Sequence, residues 1–182
     1  MSRLVPLEPP YAEDIQASFD AIMPPGAAPL VLFRTIATSA RAWKKFRSAS
    51  LLDRGPLSLR QREIVIDRVC ALTGCEYEWG VHVAGFAAAA RLTSEQIEAT
   101  VLGDASSPCW TAEEAVLIAT VDALHKRATL SDEEYASLSE HWSSDQILEI
   151  LLLAGFYRTV SYLANGLALP LEPGAARFPA KR

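Results

Sequence analysis

The sequence is short of cysteine: three in 182 residues, Cys70, Cys75 and Cys109. An odd number at wide spacing argues against a disulfide framework and leaves reduced thiols, the expectation for a cytoplasmic protein. Histidine is equally sparse. His82, His125 and His141 show no metal-ligand spacing, so neither a metal nor another cofactor is expected. Positive charge is short too: 17 Lys and Arg against 22 Asp and Glu give a net charge of -5 and a pI near 5.2. No basic stretch goes beyond Lys44-Lys45, so nucleic acid is not an expected partner. The N-terminal Met-Ser-Arg-Leu-Val-Pro lacks the apolar core of a signal peptide. The longest apolar run, around Ile150 to Phe156, falls far below the roughly 20 residues of a membrane span. It reads as a buried helix, and no membrane partner is expected. Period-2 alternation long enough for a strand is also missing.

What is present belongs to a globular chain. Half the residues are hydrophobic and 21% are charged. A chain of this length is the usual size of one domain and can bury a core without disulfides or a structural metal. One domain is expected over residues 1–182, with an extended N-terminal segment at 1–10 and a Pro-rich tail at 170–182.

Helical spacing fills the space between. Ala12, Ile15, Phe19 and Ile22 recur at helical intervals, and Pro24-Pro25-Gly26 ends that helix. A second helical stretch covers about Pro29 to Ser48, with a possible break near Ser39. Ser58 with Gln61 is a capping box for the third, which runs to Leu72 and stops at Thr73-Gly74. A fourth is expected from about Cys75 to Ala90. Ser94 and Thr111 open two more, Ser131 with Glu134 is a further capping box, and Ser144 opens the last long helix, to about Asn165. The expectation is an all-α bundle of seven or eight helices.

Within it, Cys75, Glu78 and His82 stand at i, i+3 and i+7, along one helical face. Glu78 and His82 form an i, i+4 pair, contact that favours carboxylate and imidazolium together. Such a pair is most often a surface contact worth about a few tenths of a kcal/mol. Cys75 sits just after Gly74, where unpaired N–H groups and the helix dipole would lower a thiol pKa. A lone cysteine is more often a small buried hydrophobe, the reading given to Cys70. Cys109, in a loop between Pro108 and Trp110, fits either description. His125 and His141 read as helix-end or surface residues. Glu63 lies on the preceding helix, which a hairpin at Thr73-Gly74 would bring alongside; spacing does not say whether it faces inward.

The stretch Leu59 to Ala90 resembles the carboxymuconolactone decarboxylase family, which includes the AhpD-type alkyl hydroperoxidases. The family pattern is Glu, eleven residues, Cys-x-x-Cys, three residues, His. Here the spacing is kept as Glu63, Cys75, residue 78 and His82. Phe156-Tyr157, Asn165 and Leu169-Pro170 look like the longer, peroxidase-related members. The resemblance implies an AhpD-like helical bundle, a catalytic set of Glu63, Cys75, Glu78 and His82, and a homo-oligomer (dimer, trimer or hexamer).

The sequence departs from the family at residue 78. In the peroxidases the second cysteine attacks peroxide and the first resolves it. Glu78 stands at that position, and a carboxylate can neither become a sulfenic acid nor form a disulfide. What the resemblance then implies is acid–base chemistry of the decarboxylase kind on a small organic acid or lactone, with His82 as acid or base and Glu78 orienting it. A thiol peroxidase using Cys75 alone is the alternative, and a non-catalytic helical oligomer the second alternative. Tyr77 and Trp79 are weak candidates for an aromatic wall, although as neighbours of Glu78 they point off the cluster's face. Arg68 and Arg158 are weak candidates for holding a substrate carboxylate.

Overall fold

The computed structural model describes residues 2–180. Among them are nine helices and no strand: α1 Glu13–Asp20, α2 Val31–Ile36, α3 Ala40–Ser48, α4 Leu59–Leu72, α5 Glu76–Phe86, α6 Ser94–Leu102, α7 Ala112–Arg127, α8 Asp132–His141 and α9 Ser144–Gly166. The all-α expectation holds, with one more helix than the upper expectation. The extra helix comes from the stretch around Pro29 to Ser48. Ser39 is extended, and its hydroxyl accepts from the N–H of Ala42, so a fresh helix starts there.

Side-chain caps set the other starts. Ser58 with Gln61, Thr93 with Gln96, Thr111 with Glu114, Ser131 with Glu134 and Ser143 with Gln146 each close a reciprocal capping box. α5 ends at Phe86, four residues before the expected Ala90. There the N–H of Leu92 turns back to Ala87 O while Arg91 adopts a φ of 56°.

α4 is the central element. It packs against α5, α6, α7 and α9, and every residue from Glu63 to Cys70 is buried. A helix surrounded on all sides carries apolar residues all round, and here Ile64, Val65, Ile66 and Val69 do so. That same position forces Glu63 and Asp67, on one face of α4, into the interior. At its C-terminal end Gly74 takes a φ of 63°, which glycine adopts without a Cβ penalty. α5 then folds back alongside α4.

α1 to α3 close one end of the bundle. Phe19, Trp43, Phe33, Phe46 and Phe156 form a chain of edge, tilted and (Trp43 with Phe46) stacked contacts with centroids 5.3 to 6.2 Å apart. α9 has 23 residues and is, by length and composition, apolar enough to cross a membrane. The expectation of a buried helix holds on one face only. Ile147, Ile150, Leu153, Tyr157 and Val160 are in the core, while Leu148, Leu152 and Tyr162 are exposed.

The Pro-rich tail lies against its own chain. The N–H of Ala176 donates to Gly80 O on α5, and Glu172 accepts from the Tyr77 hydroxyl. Arg177 pairs with Glu76 at 2.8 Å, and the Phe178 ring rests 5.1 Å from that of Trp79. Gly80 is what lets the tail come so close: a Cβ there would stand 2.3 Å from Ala176 O.

Candidate active site

The hairpin of α4 and α5 brings Glu63 against His82. Both are buried, at 1% and 3% exposure, and Glu63 Oε2 lies 2.8 Å from His82 Nδ1. The inward orientation of Glu63, open from spacing, is thereby fixed. On the other edge of the ring, Nε2 lies 3.5 Å from Glu78 Oε1, the i, i+4 contact along α5. The imidazole therefore sits between two carboxylates. Burial alone would strip its proton, but the hydrogen bonds and charges of Glu63 and Glu78 outweigh that and push its pKa up to about 10. At neutral pH it is an imidazolium. Phe86 and Tyr157 pack its faces and edge at centroid distances of 5.2 and 5.0 Å.

A cavity of about 750 Å³ opens over this group. Glu78, His82 and Tyr157 line it, and its walls are apolar and largely aromatic, with Phe33, Phe46, Phe86 and Phe156. The segment that follows α1, and α3 with the segment that follows it, supply much of the rest, including Met23 and Leu52. Arg47 is the one Lys or Arg among its lining residues. Its guanidinium lies 5.8 Å from the Trp43 ring and has no carboxylate partner among the described residues.

Cys75 departs from expectation. It stands at the start of α5 as anticipated, and the backbone N–H of Glu78 does favour its thiolate. Burial is the larger effect: Cys75 is 0% exposed, its pKa is raised, and it does not line the cavity. Cys70 is fully buried as read, and its thiol is pushed up harder still by burial and by the Glu78 charge.

The four weak substrate-binding candidates all lie away from the cavity. Tyr77 and Trp79 are buried between elements. Tyr77 binds Leu32 N and Glu172, and Trp79 Nε1 donates to Thr100 Oγ1. Arg68 is spent on structure: two bonds to Asp122 at 2.6 and 2.9 Å and others to the carbonyls of Thr100 and Gly103. Arg158 reaches His125 and the Tyr162 hydroxyl on the opposite side of α9 from the Phe156 wall.

Three residues escaped the sequence reading. Asp67 is 0% exposed, and neither of its oxygens has a partner. Its position four after Glu63 on one helix was a usable signal. Tyr157, singled out only as part of a resemblance, is the edge contact of His82. Arg47 sat in a run of charges with nothing to mark it. No group of three His, Cys, Asp or Glu side chains among the described residues is placed to hold a metal ion.

Chemically, the arrangement is a proton donor and a proton acceptor side by side under an apolar cavity. His82 Nε2 can give a proton, Glu78 can take one, and Glu63 fixes the ring by Nδ1.

Residues 37–122 match the carboxymuconolactone decarboxylase family, bearing out the resemblance carried by Glu63, Cys75 and His82. No curated protein matches the sequence. The fold is that of a peroxidase-related protein from Silicibacter sp. TM1040, with a TM-score of 0.84 at 17% identity over 98% of this chain and 96% of that one. It is also that of an alkylhydroperoxidase AhpD core protein from Ralstonia eutropha JMP134, with a TM-score of 0.82 at 15% identity over 94% and 92%. The debrominase Bmp8 in complex with 2,3,4-tribromopyrrole is similar too, with a TM-score of 0.76 at 13% identity over 96% and 94%.

Proposed function

We propose, for a chain whose residues 37–122 carry the carboxymuconolactone decarboxylase family match, a cofactor-free acid–base enzyme acting on a small organic acid or lactone. One observation carries this reading: His82 and Glu78 line the cavity while Cys75 is sealed from it. In a decarboxylation, the carbon–carbon bond breaks, its electron pair stays on the substrate carbon, and carbon dioxide leaves. His82 Nε2–H delivers the proton to that carbon and regains one from water. Glu63 keeps Nδ1 protonated throughout, and Glu78 holds the Nε2 edge and takes up a proton where the substrate must lose one. Arg47 takes the anion-binding role for which Arg68 and Arg158 were weak candidates, because it lines the cavity and they do not.

The aromatic walls suit a small ring. A neighbour of the same fold, the debrominase, holds 2,3,4-tribromopyrrole, which supports a ring-sized occupant here. The cytoplasm is the proposed location. A homo-oligomer is the proposed form, supported by the exposed Leu148, Leu152 and Tyr162 along α9.

The test is an assay of carbon dioxide release from a panel of small carboxylated lactones and ring acids, run beside peroxide reduction. His82→Ala is expected to abolish turnover, Arg47→Gln to raise KM for the carboxylated substrates, and Cys75→Ser to leave turnover intact. Peroxide turnover that disappears in Cys75→Ser would instead establish the thiol enzyme.

A further inference from the structure

Four buried carboxyl oxygens near His82 have no hydrogen-bond partner: Glu63 Oε1, Glu78 Oε2 and both oxygens of Asp67. Glu78 lines the cavity, where a substrate can meet it. The other three lie behind the ring, in the core. Asp67 is one helical turn beyond Glu63 on the same face of α4 and is wholly enclosed. Two enclosed anions side by side with unused oxygens are unstable, whereas an acid beside an anion supplies one donor to one acceptor. Cβ atoms four residues apart on a helix are about 6 Å apart, a span that an acid and a carboxylate cross directly or through one water.

We propose that Asp67 is a positioning residue, a neutral carboxylic acid whose O–H is committed to Glu63 Oε1, leaving Glu63 Oε2 free to hold His82 Nδ1–H. The site then has a row of three members, with His82 at the cavity wall and Glu63 and Asp67 behind it. Asp67 touches no substrate. It spreads the charge of Glu63, which keeps the proton on Nδ1 and so presents Nε2 to the cavity. The groups whose charge reaches Asp67 are His82 on α5 and Glu63 on its own helix, with Cys70 also on α4. Burial is the largest influence on it and favours the neutral form, in agreement with this assignment. The inference rests on the Glu63–His82 pair of the proposed site but not on which reaction that site performs.

Infrared and nitrogen NMR spectra of the full chain at neutral pH test it without any assay. The wild type is expected to show the carbonyl band of a buried carboxylic acid, absent in Asp67→Asn, and a His82 ring protonated on both nitrogens. Asp67→Asn keeps a donor and is expected to leave the His82 signals and their titration in place. Asp67→Val removes the donor and is expected to shift them. Absence of the acid band, or a fall of about one unit or more in the His82 pKa in Asp67→Asn, would show an ionised Asp67 and overturn the proposal. Equal His82 signals in all three proteins would overturn it as well. If Asp67→Val fails to fold, the band and the Asn variant still decide. Spectra as expected in a protein without turnover would sink the acid–base enzyme and leave this network standing.

Discussion

Glu63 Oε2 and His82 Nδ1 are joined at 2.8 Å across two helices, on the side of the ring turned away from the cavity. A buried ion pair of this kind is expensive to break from one side, because the remaining charge is left largely uncompensated. Glu63→Gln is therefore expected to lower kcat by about 10²–10⁴-fold, the range for loss of acid–base function, while changing KM little. Steady-state kinetics on whichever member of the lactone and ring-acid panel is turned over would check this, and an unchanged kcat would remove Glu63 from the site.

The burial of Cys75 and Cys70 sets a thiol count. Both are fully enclosed, while Cys109 is partly exposed. A native titration with a thiol reagent is expected to find about one reactive thiol per chain and all three after denaturation. A rapid native reaction at Cys75 would contradict the sealed position found for it.

His82 makes stability depend on alkaline pH. Its pKa rises from 6.5 unfolded to about 10 folded. The folded chain thus holds a proton that the unfolded chain has lost, so the contribution is complete below about pH 6.5 and disappears as pH climbs through 10. Asp67 and the raised thiols of Cys70 and Cys75 push in the same direction. Urea midpoints are expected to fall steadily from pH 7 to pH 10, and to fall less in His82→Gln. A flat wild-type profile would mean that His82 is not charged in the folded state.

Arg68 is a structural residue, and its loss should read in stability alone. It joins α4 to Asp122 on α7 by two bonds and to the end of α6 by two carbonyls. Arg68→Ala is expected to cost about 3 kcal/mol in denaturant unfolding, the low end for breaking a buried pair, since Asp122 retains some contact with water. An effect on KM without loss of stability would return Arg68 to the list of substrate ligands.

Gly80→Ala tests the tail. The added methyl would overlap Ala176 O, so either α5 or the tail must give way. A loss of about 1–3 kcal/mol is expected, the usual result of overpacking, together with faster proteolysis after Leu169. Unchanged stability would mean that the tail yields without strain.

Much of the fold could be read from local signals, because capping boxes and glycine stops lie within a few residues of sequence. Ser58-Gln61, Ser131-Glu134 and Gly74 each act where they were expected to. Glu63, Glu78 and His82 were legible as a pattern, but the two different edges of the imidazole were not, since they depend on how α4 and α5 cross. Cys75 misled for a physical reason. Its helix position favours the thiolate, and only the packing of distant elements over it reverses the balance. Arg47 was invisible because its role depends on α3 closing over a cavity whose floor lies on α5.

The groups proposed to handle protons all fall within the twenty residues from Glu63 to His82, on one hairpin turned by Gly74. The walls of the cavity come from elsewhere, chiefly residues 21–53 and the pair Phe156-Tyr157. Reactivity and selectivity are thus written on separate stretches of the chain. A lineage could exchange the N-terminal helices, and with them the preferred substrate, while inheriting the hairpin unaltered. In folding, the hairpin's contacts span short sequence distances and close early, so the proton-handling geometry would form before the chamber that gives it something to act upon.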